Sequence, residues 1–241
     1  MSDSELRAAI TAIVRVVAAA EEGALLGQSA SAREERGSPE SWSLPALVGH
    51  NTEFKAQQVT RLRATLDGET PPAFSEIEHA SEDTYQRFSA GSREQVLASS
   101  RATTVELLDL LWELPEADLI DTSLHPWLRG RPLWLQVVVR GFWHPGGHLG
   151  EYWLSHDQSE RTLQLHRAGV AVARAMALPG PALGMARYAL ACAEARMENS
   201  GGALEEVARA IAVNPDLAQN AARDPDLEAV RALAGWVTSA G

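Results

Sequence analysis

Apolar residues recur every three or four positions along this chain, and nearly all of its periodic signal is helical. A chain patterned in this way buries its stripes by packing helix on helix. Leu6, Ile10, Ile13, Val14, Val17 and Leu25 stripe a first helix over about residues 5–26. Residues 28–40 are rich in Ser, Arg and Glu, include Gly37-Ser38-Pro39 and have no period, so they read as a loop. Ser43 is placed to cap a second helix, with Pro45 in the first turn, where a missing N–H costs little. That helix runs to about Leu66, with Leu47, Phe54 and Leu62 along one side. His50 falls three residues after Leu47 and four before Phe54, which points it inward.

Residues 67–91, with Gly68 and Pro71-Pro72, look like a long excursion with little regular structure. Ser92 and Gln95 match a capping box, and the helix that follows carries Leu97, Thr104, Leu107, Leu108 and Leu111 until Pro115 ends it. After a loop over residues 116–130, Pro132 sits at the first turn of a fourth helix. Val137, Gly141, His144, His148 and Tyr152 fall close to one line along it. Asp157 or Ser159 could cap a fifth helix to about Met176, and Leu178-Pro179-Gly180-Pro181 is the clearest hinge. Beyond it lie two short alanine-rich helices, at about residues 182–198 and 203–213. Their spacing of Leu190, Ala191, Ala203, Val207, Ala210 and Pro215 fits one tetratricopeptide-type hairpin. A lone hairpin cannot bury its own apolar face and must pack on the bundle or meet a partner. Asp224-Pro225-Asp226-Leu227 then starts a last capping helix expected to carry Trp236.

Composition narrows the function. A formal charge of −11, with 21 basic residues scattered rather than striped, repels phosphate backbones and argues against nucleic acid. No apolar run reaches the roughly 18 residues of a membrane span, and the start Met1-Ser2-Asp3-Ser4-Glu5 lacks the order of a secretory signal, so a cytoplasmic protein is expected. Cys192 is the single cysteine, which rules out an intrachain disulfide; its apolar surroundings suit a small buried hydrophobe.

The chemistry rests on histidine. Taken singly, a histidine is more often structural than a ligand. His144 and His148, however, stand four apart on one helix face, and His50 points inward from another helix. Three neutral imidazoles meeting in a bundle would hold a divalent metal and leave a coordination position open. Between the pair lies Pro145-Gly146-Gly147, at which the helix either kinks or is reopened beside a ligand. Glu151, one turn past His148, could orient an imidazole or a metal-bound water, or simply face solvent. Arg140, four before His144, could bind an anionic substrate group or form a structural ion pair. His79, His125, His156 and His166 read as surface or capping residues, with His166 able to reach the interior. The tryptophans at 112, 127, 134, 143 and 153 read mostly as core.

This layout resembles the DinB-like superfamily, metal-binding four-helix bundles that include thiol S-transferases of the bacillithiol type and mycothiol-dependent maleylpyruvate isomerases. The resemblance rests on Trp42-Ser43 with Leu47-Val48-Gly49-His50, and on His144-Pro145-Gly146-Gly147-His148-Leu149, over about residues 1–176. It implies an all-α fold: an up-down four-helix bundle at residues 1–178, followed by a helical extension at 179–241. It also implies that His50, His144 and His148 bind the metal. Three imidazoles suit zinc, nickel or iron alike. The implied activity is a metal-dependent thiol transfer to a small electrophile, with a low-molecular-weight thiol as second substrate. The alternatives are a metal-dependent hydrolase, or a non-catalytic scaffold whose hairpin binds a protein partner or a second copy.

Overall fold

Helices supply all the regular structure among the described residues, apart from an isolated bridge between Ser38 and Ser41. The computed structural model describes residues 1–29, 37–38, 41–73, 82–89, 91–233 and 236. In chain order the helices are α1 (Asp3–Gly27), α2 (Leu44–Leu66), α3 (Glu82–Ser89), α4 (Arg93–Glu113), α5 (Glu116–Ile120), α6 (Leu133–Val138), α7 (His144–Ser155), α8 (Ser159–Ala175), α9 (Gly180–Arg196), α10 (Ser200–Val213), α11 (Leu217–Ala221) and α12 (Glu228–Arg231). A π turn, Val139–Trp143, joins α6 to α7 in one rod. No described helix is long and apolar enough to cross a membrane. The chain divides into two compact units, Val14–Tyr152 and a second made of Met1–Ile13 with Trp153–Gly241.

The first unit holds a bundle of four helices: most of α1, then α2, α4 and the α6–α7 rod. Contacts give their directions. Arg101 bonds Glu22 while Arg93 bonds the Leu25 carbonyl, so α4 runs against α1. Val14 lies at Gly141 and Val17 at Gly146, so the rod runs with α1. On α2, His50 meets His148 and Phe54 meets Arg140, so α2 opposes the rod. The order is therefore up, down, down, up, which corrects the simple up-down alternation expected for the bundle. Two consecutive helices running the same way need a connection that returns along the bundle. The 21 residues of α4 span roughly 30 Å at about 1.5 Å each, which explains why the chain spends residues 67–92 between α2 and α4.

That connection is less irregular than its composition suggests. The expectation of little regular structure is corrected by α3, whose Tyr85 and Phe88 are buried against Ala46 and Trp42. Their spacing of three was the available signal, and it is too short to register as a period. The Ser92–Gln95 capping box forms in both directions. Ser43 occupies the N-cap of α2, but its side chain makes no capping bond; Pro45 stands in the first turn as expected. The loop expected over 116–130 contains α5 and a 3-10 turn at Pro126–Leu128. Neither Asp157 nor Ser159 caps α8: Gln158 holds the N-cap without a side-chain bond, and Asp157 has a left-handed backbone (φ 56°).

The interruption in the fourth helix lies one turn earlier than the Pro-Gly-Gly stretch. In an α-helix Pro145 would lose its bond to the fourth residue back and press its ring on that residue's carbonyl. The π turn ends at Trp143, and the His144 N–H bonds to the Val139 carbonyl, five residues back. The ladder thus changes register just before the proline. At Gly141 a Cβ would stand 2.7 Å from Val14 Cγ2, so glycine is what lets α1 approach the π turn.

In the second unit, α9 and α10 pair as the expected hairpin, and its apolar face is covered within that unit. Tyr188, Ala191, Ala203, Val207, Ala210 and Ile211 form one core with Leu217, Ala221, Leu227 and Val230, and α8 packs along α9. Residue 178, the expected boundary, lies in the turn between α8 and α9, whereas the two compact units divide at Trp153, so that α8 belongs with the hairpin. The last helix, expected to start at Asp224–Leu227, starts at Glu228; a 3-10 turn, Pro225–Leu227, precedes it, with the Asp224 carboxylate accepting the Asp226 N–H. It ends at Arg231, so Trp236 lies beyond it and packs, partly buried, against the hairpin core.

Candidate metal centre

The three histidines meet. His50, fully buried on α2, and His144 and His148, half-buried on α7, bring ligand nitrogens within 4.8 Å of one another. The Nε2 atoms of His50 and His144 are 3.3 Å apart. Two such nitrogens either share a proton or turn their lone pairs to a common cation. Nitrogens held about 2.0–2.1 Å from one tetrahedral ion stand roughly 3.3–3.4 Å apart. The His148 ring lies across both others, at 86° to His50 and 82° to His144. A set of three imidazoles in this arrangement fits a divalent ion of the zinc, nickel or iron kind.

Aromatic rings fix the imidazoles. Trp42 meets the His50 ring edge-on at 5.2 Å, Phe88 does so at 5.4 Å, and Phe54 lies at 4.8 Å. Phe54 also stacks on His144 at 3.9 Å and 22°. Arg140, on the π turn, places its guanidinium 4.5 Å from the centre of the Phe54 ring. An arginine lying on a ring keeps its planar edge for carboxylate or phosphate. Sequence periodicity identified Phe54 only as core and missed Phe88 altogether.

The remaining candidates sort plainly. Glu151 is exposed. His79 lies outside the described residues. His125 is buried, its Nε2 3.1 Å from the Asp118 carbonyl and 3.2 Å from its carboxylate, a structural role. His156 sits beside the Ser155 hydroxyl. His166 does point into the interior of its unit, and burial pushes its imidazole down to about 4, so it is neutral at neutral pH. Trp134 and Trp153 are core residues, whereas Trp112 and Trp143 are largely exposed, a correction to the reading of the tryptophans as mostly core. Cys192 is half-buried rather than buried; its Sγ lies 3.7 Å from the Asp224 carboxylate, which also takes the Tyr188 hydroxyl and raises the phenol's pKa, though burial raises it more.

One constellation escaped the sequence reading. Lys55 Nζ donates to Glu21 Oε2 at 2.7 Å, and both side chains are only 1% exposed. Asn51 Nδ2 donates to Glu21 Oε1 at 2.8 Å and to the Pro145 carbonyl at 3.4 Å. Thr104 Oγ1 stands 3.5 Å from the lysine. Val48, Asn51, Lys55, Gln58 and Leu62 form a second inward stripe on α2, spaced three and four. Its polar members read as solvent-facing when the helix is considered alone. Gln58 is fully buried, and neither atom of its amide has a hydrogen-bond partner among the described residues. Gln58→Met keeps the volume and removes the amide, and it should raise stability by about 1–3 kcal/mol. Denaturant unfolding checks this; a midpoint that falls instead would show that the amide is satisfied.

Fold and donors together define an all-α bundle with a three-histidine group able to hold a metal ion. The sequence model of the DinB superfamily matches residues 4–152, a stretch that contains all three histidines. The chain belongs to the DinB superfamily. No curated protein and no solved structure matches it.

Proposed function

We propose that this protein is a metal-dependent enzyme of the thiol S-transferase kind, acting on a small electrophile. The observation that supports this most is the convergence of His50, His144 and His148, with two Nε2 atoms 3.3 Å apart. A divalent ion held there lowers the pKa of a bound thiol or water, so that a nucleophile exists at neutral pH. His50, enclosed by Trp42, Phe54 and Phe88, anchors the site from the dry side. His144 and His148, half-buried, flank its accessible side. Arg140 is suited to hold an anionic group of the substrate beside Phe54. The hairpin α9–α10, tetratricopeptide-like in spacing, is assigned a packing or partner-binding role rather than a catalytic one.

Cobalt(II) substitution tests the reading through a visible spectrum. Glutathione, bacillithiol or mycothiol at millimolar concentration should shift the absorption bands as a thiolate enters the coordination sphere. A spectrum unmoved by all three thiols would remove thiol transfer and leave water activation, the hydrolase reading, or a non-catalytic scaffold.

A further inference from the structure

We propose that Asn51 is a positioning residue that sets the separation of the two histidine-bearing helices; the proposal rests on the metal reading of His50, His144 and His148. Asn51 follows His50 on α2, and the carbonyl it reaches belongs to Pro145, which follows His144 on α7. The contact therefore crosses the same gap between helices as the 3.3 Å approach of the two Nε2 atoms, one residue from each ligand. An asparagine amide carries two hydrogens, and here each has its own acceptor: the Glu21 carboxylate and the Pro145 carbonyl.

The carboxylate fixes the amide. Glu21 is held by the buried Lys55 ammonium on its other oxygen, so Asn51 cannot turn without breaking a charge-assisted hydrogen bond. Through these partners the network joins all four helices of the bundle: Glu21 on α1, Asn51 and Lys55 on α2, Thr104 on α4 and Pro145 on α7. Its place on α7 is also the weakest part of that helix. Pro145 lacks an N–H, and Gly146 and Gly147 each favour helix less than alanine by about 1 kcal/mol. A tether at Pro145 restrains the segment from which His144 and His148 both project.

Groups that support metal ligands from outside the coordination sphere typically cost 10–100-fold in metal affinity when removed. The test compares zinc affinity and the cobalt(II) spectrum of the wild-type chain, Asn51→Leu and Leu62→Ala. Leu62 is fully buried on the same helix, about three turns from His50, so its variant loses stability without touching the tether. The expected result is a loss of at least about tenfold in affinity and a shifted spectrum for Asn51→Leu, with Leu62→Ala binding as the wild type. Should Asn51→Leu not fold, Asn51→Ser keeps a donor too short to reach Pro145 and reads the same outcome. Wild-type affinity and spectrum in the Asn51 variant would overturn the tether while leaving the metal reading intact. Equal losses in both variants would reduce Asn51 to general stability and also overturn it. A wild-type chain that takes up no ion would overturn the metal reading, and the tether's role with it.

Discussion

Replacing His144 and His148 together by alanine should abolish stoichiometric uptake of a divalent ion and leave the helical circular dichroism of the chain in place. Two of three imidazoles are lost, and a single remaining nitrogen does not hold an ion against dialysis. The packing that defines α7 lies elsewhere: Leu149 and Trp153 are buried, whereas both histidines are half-exposed. Binding to the folded state alone adds about 4 kcal/mol when the free ion stands at a thousand times its dissociation constant. A chelator should therefore lower the melting temperature of the wild-type chain and leave that of the double variant unmoved. Elemental analysis after equal dialysis reads the stoichiometry directly. A double variant retaining one ion per chain would remove the α7 pair from the site.

Lys55→Met should cost about 3–5 kcal/mol, because it strands the Glu21 carboxylate in the core without its counter-charge. For a chain of this length that corresponds to a melting temperature lower by roughly 10 °C. The companion change, Lys55→Met with Glu21→Leu, should recover most of the loss, since replacing both members of a buried pair by apolar groups is often neutral or better. A single variant that melts with the wild type would show that the pair is not charged in the folded protein. A double variant no better than the single one would show that the network's geometry, rather than its charge balance, holds the helices in register.

The comparison of sequence and structure turns on particular residues. His144 and His148 were legible because positions four apart share a helix face whatever the helix packs against. His50 was legible because Leu47 and Phe54 flank it at helical spacing. The three-histidine group could thus be assembled from local periodicity and from a resemblance carried by two short motifs. α3 was not legible, because eight residues with two aromatics give no period; what makes the segment a helix is the burial of Tyr85 and Phe88 against Trp42 and Ala46.

Local chemistry by itself determined the all-α class, the capping box at Ser92 and Gln95, the inward direction of the three histidines and the turn before α9. Each depends on neighbours within one or two turns. Tertiary structure decided the rest. The directions of the four helices explain the length of the connection between α2 and α4. The closeness of Val14 to Gly141 accompanies a π turn ahead of Pro145 rather than a kink at the glycines. Glu21, Asn51, Lys55 and Gln58 became interior residues only when four helices closed around them. A polar side chain on an isolated helix is indistinguishable from a solvated one, because its cost or its partner is set by what packs across from it.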